Sequence, residues 1–132
     1  MSTHEPPLKG ILVADFTTLL PGPVATLMLA EAGADVVKVE KPGGEDMRAY
    51  PPQWDGVSAA FAMLNRGKQS LIVDLRTEEG RKVARELAAK ADVLVEQFRP
   101  GVMAKHGLGY DELSKINPKL IYCSITGYGQ SG

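Results

Sequence analysis

Arg76 and Arg99 hold equivalent places in the chain, each at the end of an apolar β-type run that gives way to a polar turn. The first run is Ser70-Leu71-Ile72-Val73-Asp74-Leu75-Arg76, with Asn65-Arg66-Gly67-Lys68 before it and Thr77-Glu78-Glu79-Gly80 after it. The second is Asp92-Val93-Leu94-Val95-Glu96-Gln97-Phe98-Arg99-Pro100-Gly101. In open α/β sheets, ligands settle outside the carboxyl ends of the strands, and a guanidinium there grips phosphate oxygens through charge-assisted hydrogen bonds. Set side by side, two such strand ends form a cationic rim with free backbone groups. The chemistry implied is binding of a phosphorylated small molecule.

The elements that must position these residues alternate between strand and helix. A β-type run at 11–16, an apolar helix at 23–32 and a Val-rich run at 35–40 make one βαβ unit. Pro23 suits the first helical turn, where its missing N–H costs little, and Gly33 suits the position just past the end. That helix is almost wholly apolar, which predicts burial on more than one side. A Gly- and Pro-rich loop at 42–52 follows, of the kind that carries function, and a short helix at 58–64 returns the chain to the sheet. After the third strand, Thr77 is an N-cap for a helix to Lys90, with Val83, Ala84, Leu87 and Ala88 on one face and the pairs Glu78/Lys82 and Glu86/Lys90 on the other. A fourth strand at 93–96, a short helix at 111–116 and a fifth strand at 120–124 complete the pattern. Repeated strand-then-helix order predicts an α/β fold with a Rossmann-like, doubly wound, mostly parallel sheet.

Composition bounds the function. The 132 residues, 44% of them hydrophobic, suffice for one domain with a single core. Lys and Arg number 15 against 16 Asp and Glu, so no global basic field points to nucleic acid. Cys123 is the sole cysteine, which rules out an intrachain disulfide, and its place in Leu120-Ile121-Tyr122-Cys123 predicts a buried thiol. The first residues lack the basic and apolar regions of a signal peptide, and no apolar run is long enough to span a bilayer. A soluble, cytoplasmic protein with no membrane or nucleic-acid partner is expected.

Rival motifs fail on their residues. A dinucleotide fingerprint needs glycines where the backbone approaches a pyrophosphate, whereas Pro21-Gly22-Pro23-Val24-Ala25-Thr26 offers one glycine between two prolines. No phosphate-loop motif occurs, and His4, His106 and Cys123 lack the spacing of metal ligands. Asp15 and Glu40 read as structural carboxylates, and His106 as a surface loop residue.

Longer motifs run through nearly the whole chain: Pro7-Leu8-Lys9-Gly10, Gly33-Ala34-Asp35-Val36-Val37-Lys38-Val39-Glu40, Asn65-Arg66-Gly67-Lys68, Phe98-Arg99-Pro100-Gly101 and Thr126-Gly127-Tyr128-Gly129-Gln130. In these the chain resembles the class III CoA-transferases, which include formyl-CoA and carnitine CoA-transferases and the related α-methylacyl-CoA racemases. A disordered tail is expected at residues 1–7, and the resemblance implies that 8–132 are the N-terminal part of a CoA-binding α/β domain, truncated at Gly132. It implies coenzyme A thioesters as substrates, with no permanently bound cofactor, and carboxylic acids as acceptors.

The resemblance also implies contacts to CoA at Leu20 and Pro21, at Lys41, at Val73, Asp74, Leu75 and Arg76, at Gln97, Phe98 and Arg99, and at Lys105. Lys41 and Lys105 stand where the family usually has Arg, keeping charge but giving up the bidentate fork, and Gln97 replaces a commoner Asn. Simpler roles compete: solvated charge for the cations, core packing for Phe98 and turn orientation for Asp74. Family transferases work through an aspartyl intermediate, and the racemase branch through a His and an Asp that exchange an α-proton. Both sets lie downstream of the Gly-Tyr-Gly-Gln turn. The expectation is therefore a catalytically silent N-terminal portion of an acyl-CoA:carboxylate CoA-transferase, an interlocked homodimer when whole. An acyl-CoA racemase and a non-catalytic CoA-binding module are the alternatives.

Overall fold

The computed structural model describes residues 4–131. Five parallel strands form the central sheet: β1 (Leu12–Phe16), β2 (Asp35–Glu40), then β5 (Gln69–Ile72), β6 (Val93–Glu96) and β7 (Ile121–Ser124). Between β2 and β5 lie a 3-10 turn (Asp46–Ala49) and a small antiparallel hairpin of β3 (Gln53–Trp54) and β4 (Val57–Ser58). The helices are α1 (Pro21–Glu31), α2 (Ala59–Asn65), α3 (Glu78–Lys90), α4 (Val102–Lys105) and α5 (Tyr110–Ile116). The sheet order is β5-β2-β1-β6-β7, so the chain winds outward from β1 in one direction and then, from β6, in the other. This is the doubly wound α/β arrangement the alternation predicts. Among the described residues no helix is long and apolar enough to cross a membrane.

Period-two alternation along each strand sorts side chains between two cores. Ala14, Phe16 and Leu94 pack with Ala84, Ala88 and Leu113 on the face covered by α3 and α5, while Val13, Val36 and Val95 meet Leu29 and Ala30 of α1 on the other. Each large aliphatic side chain so buried contributes about 1.5–3 kcal/mol.

Local signals set the ends of the elements. Thr77 Oγ1 accepts from the Gly80 amide at 3.0 Å, the expected N-cap. Gly33, at φ 103°, ends α1 in a Schellman arrangement: its amide donates to Ala30 and that of Ala34 to Leu29. Ser58 caps α2 through the Phe61 amide at 3.3 Å. Of the tail expected over residues 1–7, residues 1–3 lie outside the described residues, and Pro6 sits against Gly33.

Several expectations are corrected. Helix α1 starts two residues early, at Pro21, and one flank stays open, with Met28 66% exposed. Its almost uniformly apolar sequence cannot reveal which flank lacks a neighbour. Glu78 pairs with Arg81 and Arg85 and not with Lys82, because the guanidinium groups reach its carboxylate from one and two turns along. Cys123 is exposed. It lies on the edge strand β7, on the face opposite Tyr122, where α1 no longer reaches, since α1 covers β1, β2 and β6. The hairpin was not anticipated, although Asp55-Gly56, both at positive φ, is a common two-residue hairpin turn.

Gly80 shows how closely α3 docks. A Cβ there would collide with the Asp74 carbonyl. Alanine would gain about 1 kcal/mol of helix propensity, but a clash with backbone outweighs it. Gly80→Ala is expected to destabilise the protein by about 2 kcal/mol, lowering Tm by roughly 6–8 °C in a thermal melt. A Tm at or above wild type would contradict the packing described.

Candidate binding site

The carboxyl ends of β5, β2, β1 and β6 open on one edge of the sheet, where a cleft of about 480 Å³ lies. Its size suits a small-molecule ligand. Phe16, Val39, Val73, Leu75 and Phe98 give it apolar walls; Lys41, Arg76, Asp74, Asp46 and His106 ring it with polar groups. Strand pairing stops at Ile72, and the Val73 amide still donates to the Glu40 carbonyl at 2.8 Å before residues 73–76 turn away. The predicted strand end is thus a turn over the cleft.

Charge at the rim is paired. Asp74 takes Arg76 in a fork, Nε to Oδ1 at 2.9 Å and Nη2 to Oδ2 at 2.8 Å. Hydrogen bonds from the Arg76 side chain and amide hold the Asp74 carboxyl down at about 2. Lys41 meets Asp46 at 2.5 Å in the open. An anionic ligand would have to share these cations with resident carboxylates.

A second cleft of about 510 Å³ adjoins the first, with Phe98 as a common wall. Pro21, Gln97 and Arg99 line it, together with Gly127 and Tyr128. The two basic strand ends are therefore not neighbours. β2 and β1 stand between β5 and β6, so Arg76 and Arg99 fall in separate clefts. Of the residues singled out from sequence, Lys41, Val73, Asp74, Leu75, Arg76 and Phe98 line the first cleft. Pro21, Gln97, Phe98 and Arg99 line the second, and Leu20 and Lys105 line neither. Phe98 packs against the core as well as walling both clefts, so its two readings are compatible. His106 is half-buried and faces the first cleft, where a surface position had been expected.

Beneath the clefts lies a buried polar network whose reach the sequence did not disclose. Asp15 accepts from the Thr17 amide at 2.9 Å, from the Thr17 and Thr26 hydroxyls at 2.5 and 2.6 Å, and from Lys68 at 3.2 Å. Lys38 is ion-paired with Glu45 and donates to the Thr17 carbonyl at 2.9 Å. Glu40 takes the Arg48 fork at 2.6 and 2.7 Å, the Ser70 hydroxyl at 2.6 Å and the Glu45 amide at 2.9 Å. Asp15 and Glu40 thus serve as the structural carboxylates expected, bracing the turns that carry the cleft lining. The signal for Lys38 and Glu45 was weak, because a lysine within a strand and an acid in a loop both read as exposed charge.

The model of CoA-transferase family III matches residues 8–132. The chain belongs to that family. Among CoA-transferase relatives, the chain is 49% identical to the succinate–glutarate CoA-transferase of Agrobacterium fabrum, covering 100% of this chain and 35% of that protein. It is 48% identical to the acetyl-CoA:oxalate CoA-transferase of Acetobacter aceti, covering 96% and 33%. A solved CAIB/BAIF family protein from Brucella suis superposes with a TM-score of 0.92 at 46% identity, over 98% of this chain and 35% of that one. The chain spans about a third of the length of the curated relatives it matches.

Proposed function

We propose that the first cleft binds the nucleotide end of coenzyme A and that the whole protein transfers CoA between carboxylic acids. The observation that carries this reading is the union of an apolar cleft with two cations at its rim, Arg76 and Lys41, outside the carboxyl ends of parallel strands. Apolar walls from Val39, Leu75 and Phe98 suit a planar base, while Arg76 can turn its Nη1 side to a phosphate as Asp74 holds the other edge. The second cleft, lined by Arg99 and by residues 125–129, would receive the rest of the molecule. Relatives named for succinate, glutarate and oxalate support a carboxylic acid as acceptor. Covalent chemistry through an aspartate belongs to residues past Gly132 in this reading. Family membership also supports a cytoplasmic, interlocked homodimer that holds no permanent cofactor.

Titration calorimetry with coenzyme A tests it. Wild-type protein should bind, and Arg76→Ala should weaken binding about tenfold or more, the value of one charge-assisted contact. Binding that ignores the loss of Arg76 would place the phosphates elsewhere.

A further inference from the structure

The turn at 17–20 joins β1 to α1 and contributes Thr18 to the first cleft, and Pro21 follows it in the second. Within it Leu19 is left-handed at φ 62°. A branched, non-glycine side chain is rarely found there, and the conformation persists only where the surroundings over-determine it.

Four side chains supply that constraint. Asp15 holds the Thr17 amide, Lys38 the Thr17 carbonyl, and Glu45 the Leu19 amide at 3.4 Å. The fourth, Gln97 at the end of β6, acts from both ends of its amide. Its Nε2 donates to the Thr18 carbonyl at 2.7 Å, and its Oε1 accepts from the Gly22 amide at 2.9 Å. The partners are a carbonyl and an N–H, so a flipped amide would lose both bonds. Gly22 completes the fit, because a Cβ there would strike both Thr17 and the Gln97 oxygen.

We infer that Gln97 is a positioning residue: it clamps the 17–20 turn in its left-handed form and so sets the affinity of the clefts for their ligand through the conformation of that turn. Gln97 lines the second cleft, and one N–H and one lone pair of its amide are spent on backbone in holding the turn. The part concerning affinity rests on coenzyme A being the ligand.

The test uses Gln97→Ala alone and combined with Leu19→Gly. Gln97→Ala should speed hydrogen exchange at the Leu19 amide, which Gln97 does not contact, about tenfold in ligand-free protein, the loss expected when a strained turn is released. Coenzyme A affinity should fall by a similar factor. Glycine adopts positive φ without strain, so adding Leu19→Gly should restore most of the affinity lost. If the double variant binds as weakly as Gln97→Ala, Gln97 acts on the ligand directly and not through the turn, and the inference fails. It fails equally if exchange at Leu19 is unchanged. Should wild-type protein not bind coenzyme A, the functional reading falls, and the exchange measurement still decides whether the clamp exists.

Discussion

Asp15→Ala is expected to cost about 3–5 kcal/mol of stability, the penalty for breaking a buried ion pair from one side. Asp15 is fully buried and the side chain of Lys68 is 1% exposed, so removing the carboxylate strands an ammonium with only the Pro23 carbonyl and the Asn65 side chain as acceptors. Burial already pushes the Lys68 ammonium below the usual lysine range, with Asp15 acting against it. Lys38 lies close enough to repel the same group. The Thr17 hydroxyl loses its acceptor as well, and the Thr26 hydroxyl keeps only the Gly22 and Pro23 carbonyls, at 3.2 and 3.3 Å. With a urea m value of ~1.5 kcal/mol/M, the midpoint of unfolding should drop by ~2–3 M. Adding Lys68→Met should recover part of the loss, because it removes the uncompensated charge. A single variant within 1 M of wild type would show that the network is solvated and the pair unimportant.

A pH-dependent stability difference between wild type and Glu40→Gln is the second large effect. Burial alone would raise the Glu40 carboxyl, but hydrogen bonds from Arg48, Ser70 and the Glu45 amide outweigh it and hold the group at about 2, against 4.5 ordinarily. A carboxyl depressed on folding adds stability that is fully present above its unfolded value and is lost as pH falls toward the folded one. Here that window runs from about pH 4.5 down to about 2. The depression corresponds to about 3 kcal/mol. At pH 7 Glu40→Gln should therefore be less stable than wild type by about that amount, and the two unfolding curves should converge as the pH approaches 2. A gap that stays constant across the acid range would mean that the Arg48 fork is lost for steric and not ionic reasons. The fork also positions the 3-10 turn carrying Asp46 beside the cleft, and Arg48 continues over the Phe61 ring at 3.9 Å.

Strand and helix types were legible in the sequence because they depend on local periodicity. Val36, Val37 and Val39 mark β2, Thr77 and Gly33 mark helix ends, and the alternation of elements determined a parallel, doubly wound sheet. The long motifs determined the family in the same way, since they are properties of residue order. Tertiary structure alone decided what lies beside what. Strand order separates Arg76 from Arg99 by two strands, a distance that no spacing along the chain encodes. The edge position of β7 exposes Cys123 although its neighbours are apolar. Charged residues posed the same problem: Lys38, Glu45, Asp15 and Lys68 come from four separate segments and become a buried network only when β1, β2 and α1 pack together. A charge in sequence reads as solvated because burial without a partner is prohibitive, and the partner is supplied by the fold.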